Sequence, residues 1–295
     1  MEFRLLGPVQ VVAGGRPLPV NGAHQRALLA LLLLHPNRVV AADRLVGVLW
    51  TNGAPSKAAR HRLQVRTSEL RRVLADAGED ERLAYRPPGY VLRVGPGELD
   101  LDEFVRLADQ GREQLTAGHA ERARKLLAEA LGRWHGRALE DVDLPGVRRE
   151  AERLEARRLA VVEDRIEAEL ACGRHAEMVA ELEELAAAEP LRERLHAQLM
   201  LALYRSDRQA DALAVFRRLR DRLVAEVGVE PGPSLQELQR QLLNANPALR
   251  PAPEPVTPQR PARPAPATVP SELPPDVASF TGRPPRRGCG TGSTC

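Results

Sequence analysis

Residues 57–74 read KAARHRLQVRTSELRRVL, and this stretch decides the fold. Leu63, Thr67, Leu70 and Leu74 recur at the spacing of one face of an α-helix, which predicts a helix from position 55 to about position 77 with one side in a core. Six basic residues against one acid, Glu69, give this helix a cationic outer side. Arginine pairs with guanine edges and neutralises phosphate, so such a helix suits the major groove of DNA.

Charge alone leaves a second interpretation open, namely an ordinary solvated helix face. Lys and Arg together number 43, of which only Lys57 and Lys125 are lysine, so arginine is abundant along the whole chain. Similar Arg-rich segments at 148–158 and 217–222 are interleaved with Glu and Asp, a pattern typical of exposed faces rich in ion pairs. The sequence on either side of the helix is therefore needed to choose between a DNA-binding helix and an ordinary solvated one.

Length and composition indicate two mainly helical domains followed by a tail. The chain has 295 residues, a net charge of +3 and only 3% aromatic residues, so its cores must be built from Leu, Ala and Val. Its three cysteines, Cys172, Cys289 and Cys295, lack metal-ligand or disulfide-framework spacing, and the apolar run 27–34 is too short to span a membrane. These features, with no signal peptide pattern, predict a cytoplasmic protein without a membrane segment or metal site.

The order of elements around the basic helix is that of a winged helix-turn-helix. Three short strands are predicted within residues 2–20, helices at about 23–34 and 42–50, and a two-stranded ribbon at 83–94. The fold class is therefore mainly α with a small β component, and the predicted first domain is 1–96.

The same segment resembles the OmpR-type winged helix of the Streptomyces antibiotic regulatory proteins and the larger AfsR-like regulators. The resemblance rests on 3–9 (FRLLGPV), 25–33 (QRALLALLL), 37–40 (NRVV), 43–45 (DRL), 49–50 (LW), 63–65 (LQV), 70–74 (LRRVL) and 88–90 (PGY). It implies that the third helix, 56–74, enters the major groove and that the wing, 85–93, touches the minor groove or backbone. Thr67 and Glu69 depart from the family, which has Val or Ile and Arg there, so base preference or affinity is expected to be atypical.

Residue charge and this resemblance together give the candidate site. DNA contacts are predicted for His61, Arg62, Gln64, Arg66, Arg71 and Arg72 of the helix, for Tyr85, Arg86 and Arg93 of the wing, and for Arg26 as a further phosphate contact. The resemblance also implies a loop that meets RNA polymerase, formed by Thr51, Asn52, Gly53, Ala54 and Pro55. No catalytic, cofactor or metal residue is expected, and neither is enzyme activity. Trp50 and Trp134 are expected to be core residues.

Residues 97–248 predict a second, all-α domain of tetratricopeptide-like repeats. The segment 173–180 (GRHAEMVA) recurs 34 residues later as 207–214 (DRQADALA), with a fainter copy at 118–123. The domain resembles the bacterial transcriptional activator domain through 131–134 (LGRW), 190–194 (PLRER), 201–206 (LALYRS), 227–231 (VGVEP) and 235–238 (LQEL). Two modules in this order imply an activator that binds double-stranded promoter DNA and contacts RNA polymerase and its sigma factor. They also imply a homodimer or tandem protomers on direct repeats, and control of secondary-metabolite genes.

Residues 249–295 predict a Pro-rich, disordered linker and a truncated tail. The run 275–283 (PDVASFTGR) resembles the entry to the ATPase domain of AfsR-like regulators, but no GxxxxGK[ST] phosphate loop follows, so no ATPase activity is expected. Two alternatives stay open at this point. The chain could be a helical scaffold with weakened DNA binding, or the N-terminal fragment of a larger AfsR-like ATPase regulator.

Overall fold

The computed structural model describes residues 1–50, 56–249 and 282, and its first part is a winged helix-turn-helix with two small sheets. The first sheet joins β1 (Glu2–Arg4), β2 (Gln10–Ala13) and β3 (Arg16–Pro17) in that order, all antiparallel. Three helices follow: α1 (Ala23–Leu33), α2 (Ala42–Leu49) and α3 (Lys57–Ala75). The second sheet has the order β4 (Val40–Ala41), β6 (Gly89–Leu92), β5 (Leu83–Arg86), and the β5–β6 hairpin is the wing.

Burial explains why these residues form these helices. In α1, every residue from Ala27 to Leu33 is buried, because α2, α3 and β6 pack around it. The helix predicted at about 23–34 is confirmed, and its apolar run is buried. Helix α3 begins where Ser56 Oγ accepts a hydrogen bond from the Ala59 amide at 3.1 Å, which satisfies one of the free N–H groups of its first turn.

The second part consists of seven further helices within the described residues, in which neighbours along the chain pack against each other. They are α4 (Asp100–Thr116), α5 (Ala120–Leu131), α6 (Pro145–Ala171), α7 (His175–Ala188), α8 (Glu193–Arg205), α9 (Gln209–Glu226) and α10 (Pro233–Leu243), followed by a 3₁₀ helix at Pro247–Leu249. The mainly α fold with small sheets is confirmed.

The internal sequence repeat corresponds to one helix-ending turn used three times. Gly118, Gly173 and Asp207 each adopt a positive φ, of 79°, 82° and 60°. In each turn the following amide reaches back five residues: His119 to the Gln114 carbonyl, Arg174 to Glu169 and Arg208 to Leu203, at 2.9, 3.1 and 2.9 Å. This Schellman pattern ends one helix and aims the chain into the next, so the repeated residues mark the turn of each helical pair.

The winged helix and the helical repeats are joined through a common core. One cluster of buried residues extends from Phe3 to Ala168, and a second extends from Ile166 to Leu242, so α6 belongs to both. The Asp100 carboxylate accepts hydrogen bonds from the Leu5 amide at 2.9 Å and the Leu6 amide at 3.0 Å. Burial raises the pKa of Asp100, and these backbone donors oppose that rise. The packing is continuous across the predicted domain boundary at 96/97, which stays a prediction.

Glu98 connects three parts of the first module just before α4. Its carboxylate accepts from Arg82 Nη2 at 2.8 Å and from the Gly95 amide at 2.6 Å, and lies 3.6 Å from the N-terminal amine of Met1. The Glu98 carbonyl also accepts from the Phe3 amide at 2.6 Å. Hydrogen bonding to the Arg82 guanidinium holds the pKa of Glu98 below its ordinary value of 4.5.

We expect the free energy of unfolding to decrease as the pH is lowered from about 4.5, because the unfolded chain then takes up the Glu98 proton before the folded chain does. The contribution is complete above that pH and is lost as the pH falls through the lowered pKa. Urea denaturation between pH 7 and pH 3 measures it. Glu98→Gln should flatten this pH dependence, and Arg82→Leu should weaken it, since Arg82 is the main cause of the shift. An unchanged slope in both variants contradicts the assignment.

Gly89 lies where the wing crosses β4, and a side chain does not fit there. An added Cβ would overlap the Val40 carbonyl and approach Ala41 Cα to 2.7 Å. Gly89→Ala should therefore lower the free energy of unfolding by about 1–3 kcal/mol through overpacking. Gly47→Ala is the matched control: that helical glycine has nothing within 4 Å, and the exchange should stabilise by up to about 1 kcal/mol. Urea denaturation followed by circular dichroism measures both, and equal effects would contradict the expectation.

Candidate nucleic-acid interface

Helix α3 buries one side and exposes the other. Leu63, Leu70 and Leu74 are at most 1% exposed, as is Thr67, whose hydroxyl donates to the Leu63 carbonyl and so satisfies itself within the core. The predicted apolar stripe is confirmed, and Thr67 fits it despite its polar group. The outer face of α3 is defined by its exposed residues: Lys57, Ala58, Arg60, His61, Arg62, Gln64, Val65, Ser68, Arg72 and Ala75.

Arg62 is supported by an aromatic ring. Its guanidinium carbon lies 5.1 Å from the centre of the Trp50 ring, which also stacks on the His24 ring at 5.5 Å and 18°. A cation over an aromatic face is attracted by the ring's electrons, so Arg62 is held without losing its exposure. Trp50 is only partly buried, so the expectation of a core residue holds in part: it packs against the core and also positions Arg62. Trp134 is a core residue as expected, with its ring edge-on to Phe104 at 5.4 Å.

Three other basic residues of α3 are engaged by the protein itself. Arg66 Nη1 lies 2.7 Å from a Glu69 carboxylate oxygen, one turn away. Arg60 forms a two-pronged ion pair with Asp43 of α2, with its shortest distance 2.8 Å. Arg71 Nε donates to the Leu83 carbonyl at 3.0 Å and ties α3 to the wing. Glu69 therefore neutralises Arg66.

The remaining helix candidates are not engaged in this way. His61, Gln64 and Arg72 are exposed, and across residues 1–50 and 56–249 none of their side chains has an ion pair or hydrogen bond to protein. The structure thus brings together Arg62, on its aromatic support, with three polar side chains that are available to a ligand.

The wing presents its candidates next to α3. Tyr85 is 56% exposed, and its ring meets the Tyr90 ring edge-on at 5.2 Å, which orients it. Arg86 is exposed at the end of β5. Arg93 is also exposed and lies 3.8 Å from Glu81. All three stay predictions as DNA contacts.

Arg26 and the loop 51–55 stand apart from these residues. Arg26 Nε lies 2.8 Å from an Asp141 carboxylate oxygen, and Asp141 also accepts from the Val9 amide at 2.8 Å, so Arg26 is used to hold the winged helix to the segment between α5 and α6. Its phosphate contact stays a prediction. The predicted polymerase loop, 51–55, lies outside the described residues.

Two features of the interface were not identified from the sequence. The Trp50–Arg62 contact joins different elements, and no local pattern indicates it. Val65 is 39% exposed in the middle of the outer face and was not a candidate residue. Within 1–50 and 56–249, no group of His, Cys, Asp or Glu is placed so that it could hold a metal ion, and no described helix is long and apolar enough to cross a membrane.

Comparison with known proteins accounts for the arrangement of the two parts. The bacterial transcriptional activator domain matches residues 99–243, which span α4 to the end of α10. The regulatory protein DnrI of Streptomyces peucetius is 37% identical, over 84% of this chain and 94% of its own. The chain belongs to the AfsR-like family of Streptomyces antibiotic regulatory proteins. Its fold is also that of a family member. A solved structure of Mycobacterium tuberculosis EmbR, in complex with a low-affinity phosphopeptide, superposes on this chain with a TM-score of 0.80 at 38% identity. The match covers 85% of this chain and 66% of the EmbR chain.

Members of this AfsR-like family are transcriptional regulators, and they differ in length. In sequence, EmbR of M. tuberculosis is 40% identical over 84% of this chain, which spans 64% of EmbR. AfsR of Streptomyces coelicolor is 43% identical over 96% of this chain, which spans 28% of AfsR. The chain thus matches only part of EmbR and AfsR and nearly all of DnrI.

The Trp50–Arg62 contact can be tested by fluorescence. Arg62→Ala should shift the emission of Trp50 to longer wavelength, because removing the guanidinium exposes that face of the indole to water. Trp134 is buried elsewhere and should contribute a constant background. Arg72→Ala is the control, since Arg72 is exposed on the same helix away from either indole. Identical spectra for Arg62→Ala and the unmodified protein would show that the ring and the guanidinium do not meet in solution.

Proposed function

We propose that this family member is a sequence-specific, DNA-binding transcriptional activator. The observation that carries the proposal is the outer face of α3: a continuous, exposed, cationic surface beside an exposed wing, with Arg62 oriented by Trp50. A helix buried along one side and free along the other can lie in the major groove without losing its core contacts.

In the proposed complex the basic residues divide between two roles. Arg62, Gln64, His61 and Arg72 are exposed, and within 1–50 and 56–249 none of their side chains has an ion pair or hydrogen bond to protein. They are therefore suited to base edges, where Arg recognises guanine and Gln recognises adenine. Arg66 and Arg71 are half-buried beside the apolar stripe, a position that suits phosphate contacts at the groove edge. Tyr85, Arg86 and Arg93 would contact the adjacent minor groove or backbone.

Activation requires a second surface. We propose that the loop 51–55, at the N-terminal end of α3, meets RNA polymerase and its sigma factor. The helical repeats would hold a homodimer, or tandem protomers, on direct repeats of promoter DNA. The membership of AfsR and DnrI in the family supports secondary-metabolite genes as targets. The continuous core shared by the winged helix and α4–α6 supports a fixed distance between the DNA-reading helix and the repeats.

The first experiment is footprinting of the purified chain on the DNA upstream of its own gene at two salt concentrations. We expect protected direct repeats and an affinity that decreases steeply with salt, because phosphate contacts release counterions. Arg62→Ala should cost about 1–3 kcal/mol and relax the preference at one base pair, whereas losing a phosphate contact should reduce the salt slope. Arg153→Ala, which changes a 77% exposed side chain on α6, is the control and should bind normally.

Diffuse, salt-sensitive binding of DNA by the protein, without protected repeats, would contradict the proposal. It would favour a helical scaffold with weakened DNA binding. Glu69 is the motive for that alternative, since its carboxylate neutralises Arg66 on the groove side. Glu69→Arg would then gain affinity by removing a negative charge and freeing Arg66. The other alternative, the front of an AfsR-like ATPase regulator, predicts a GxxxxGK[ST] loop in the reading frame that continues downstream.

A further inference from the structure

Val65 is an exposed valine at the centre of the outer face of α3. It is 39% exposed, whereas the buried stripe of Leu63, Leu70 and Leu74 is at most 1% exposed. At about 100° per residue, Leu74, nine positions on, lies half a turn away around the helix axis. Val65 therefore points directly away from the core, along the middle line of the surface proposed to enter the groove.

Neither packing nor helix formation explains a valine at this position. Its branched side chain is a weaker helix former than alanine or the charged residues around it, and burial does not compensate. Single exposed apolar residues are common on protein surfaces. Here, however, Val65 is the one large apolar residue exposed along α3, and its neighbours one turn away, His61 and Glu69, are polar.

The major groove offers one apolar group for such a side chain. The 5-methyl group of thymine projects into it, and apolar side chains recognise that group by contact. We propose that Val65 packs against the methyl group of one thymine in the operator and thereby makes that base position specific for T·A. Gln64 and Arg62, on either side, are placed to reach the neighbouring base pairs. This inference rests on the proposed DNA-binding function.

The test replaces each thymine of the protected half-site, one at a time, by deoxyuridine. This exchange keeps every hydrogen-bonding group and removes only the methyl. For the unmodified protein, we expect one position at which affinity falls about fourfold, the factor expected for one buried methyl group. For Val65→Ala, affinity for the thymine operator should fall by a similar factor, and deoxyuridine at that position should have no further effect.

Val39→Ala is the matched control, because Val39 is a 44% exposed valine outside α3. It should keep the full sensitivity to deoxyuridine, and circular dichroism should show that both variants are folded. Equal sensitivity in Val65→Ala, or a specific footprint indifferent to every exchange, overturns the role of Val65 and leaves the DNA-binding proposal standing. A chain that protects no specific sequence overturns both.

Discussion

Burial of one side of α3 is the constraint on which the interface depends. Four positions at helical spacing fill the core of the winged helix, and they fix the rotation of α3 about its own axis. Once that rotation is set, the identity of every exposed residue on the opposite side is set too. The surface proposed to meet DNA is thus determined from inside the protein, by side chains that would touch no nucleotide.

Carboxylates that accept backbone amides from distant segments join the winged helix to the helical part. Asp100 accepts from the Leu5 and Leu6 amides, and Asp141 accepts from the Val9 amide. Each satisfies a donor that would otherwise be buried without a partner, which is costly inside a protein. Because Asp100 and Asp141 of the helical part bind the connection between β1 and β2, the two modules recognised from the sequence form one compact unit in the described residues.

The sequence alone predicted the features that recur at a regular spacing along the chain. The stripe of α3 predicted its buried side, and the 34-residue repeat marked the same helix-ending turn. The strand and turn residues predicted the first sheet and the β5–β6 hairpin, but not β4, whose two residues pair with β6 only in the folded chain. The engagement of individual arginines could not be predicted in the same way. Arg60 meets Asp43 and Arg71 meets Leu83, 17 and 12 positions away, and such pairs exist only after separate elements have packed. Trp50 was misjudged in part for the same reason, since its contact with Arg62 depends on how α2 ends beside α3.

Helix α6 has 27 residues and contributes to both hydrophobic cores. Its length is therefore constrained as strictly as its sequence. Inserting one residue near its middle would rotate everything beyond that point by about 100° relative to everything before it. One core could then keep its packing only if the other lost it. Insertions and deletions in this family should accordingly accumulate in the turns between helices, while α6 keeps a constant number of residues.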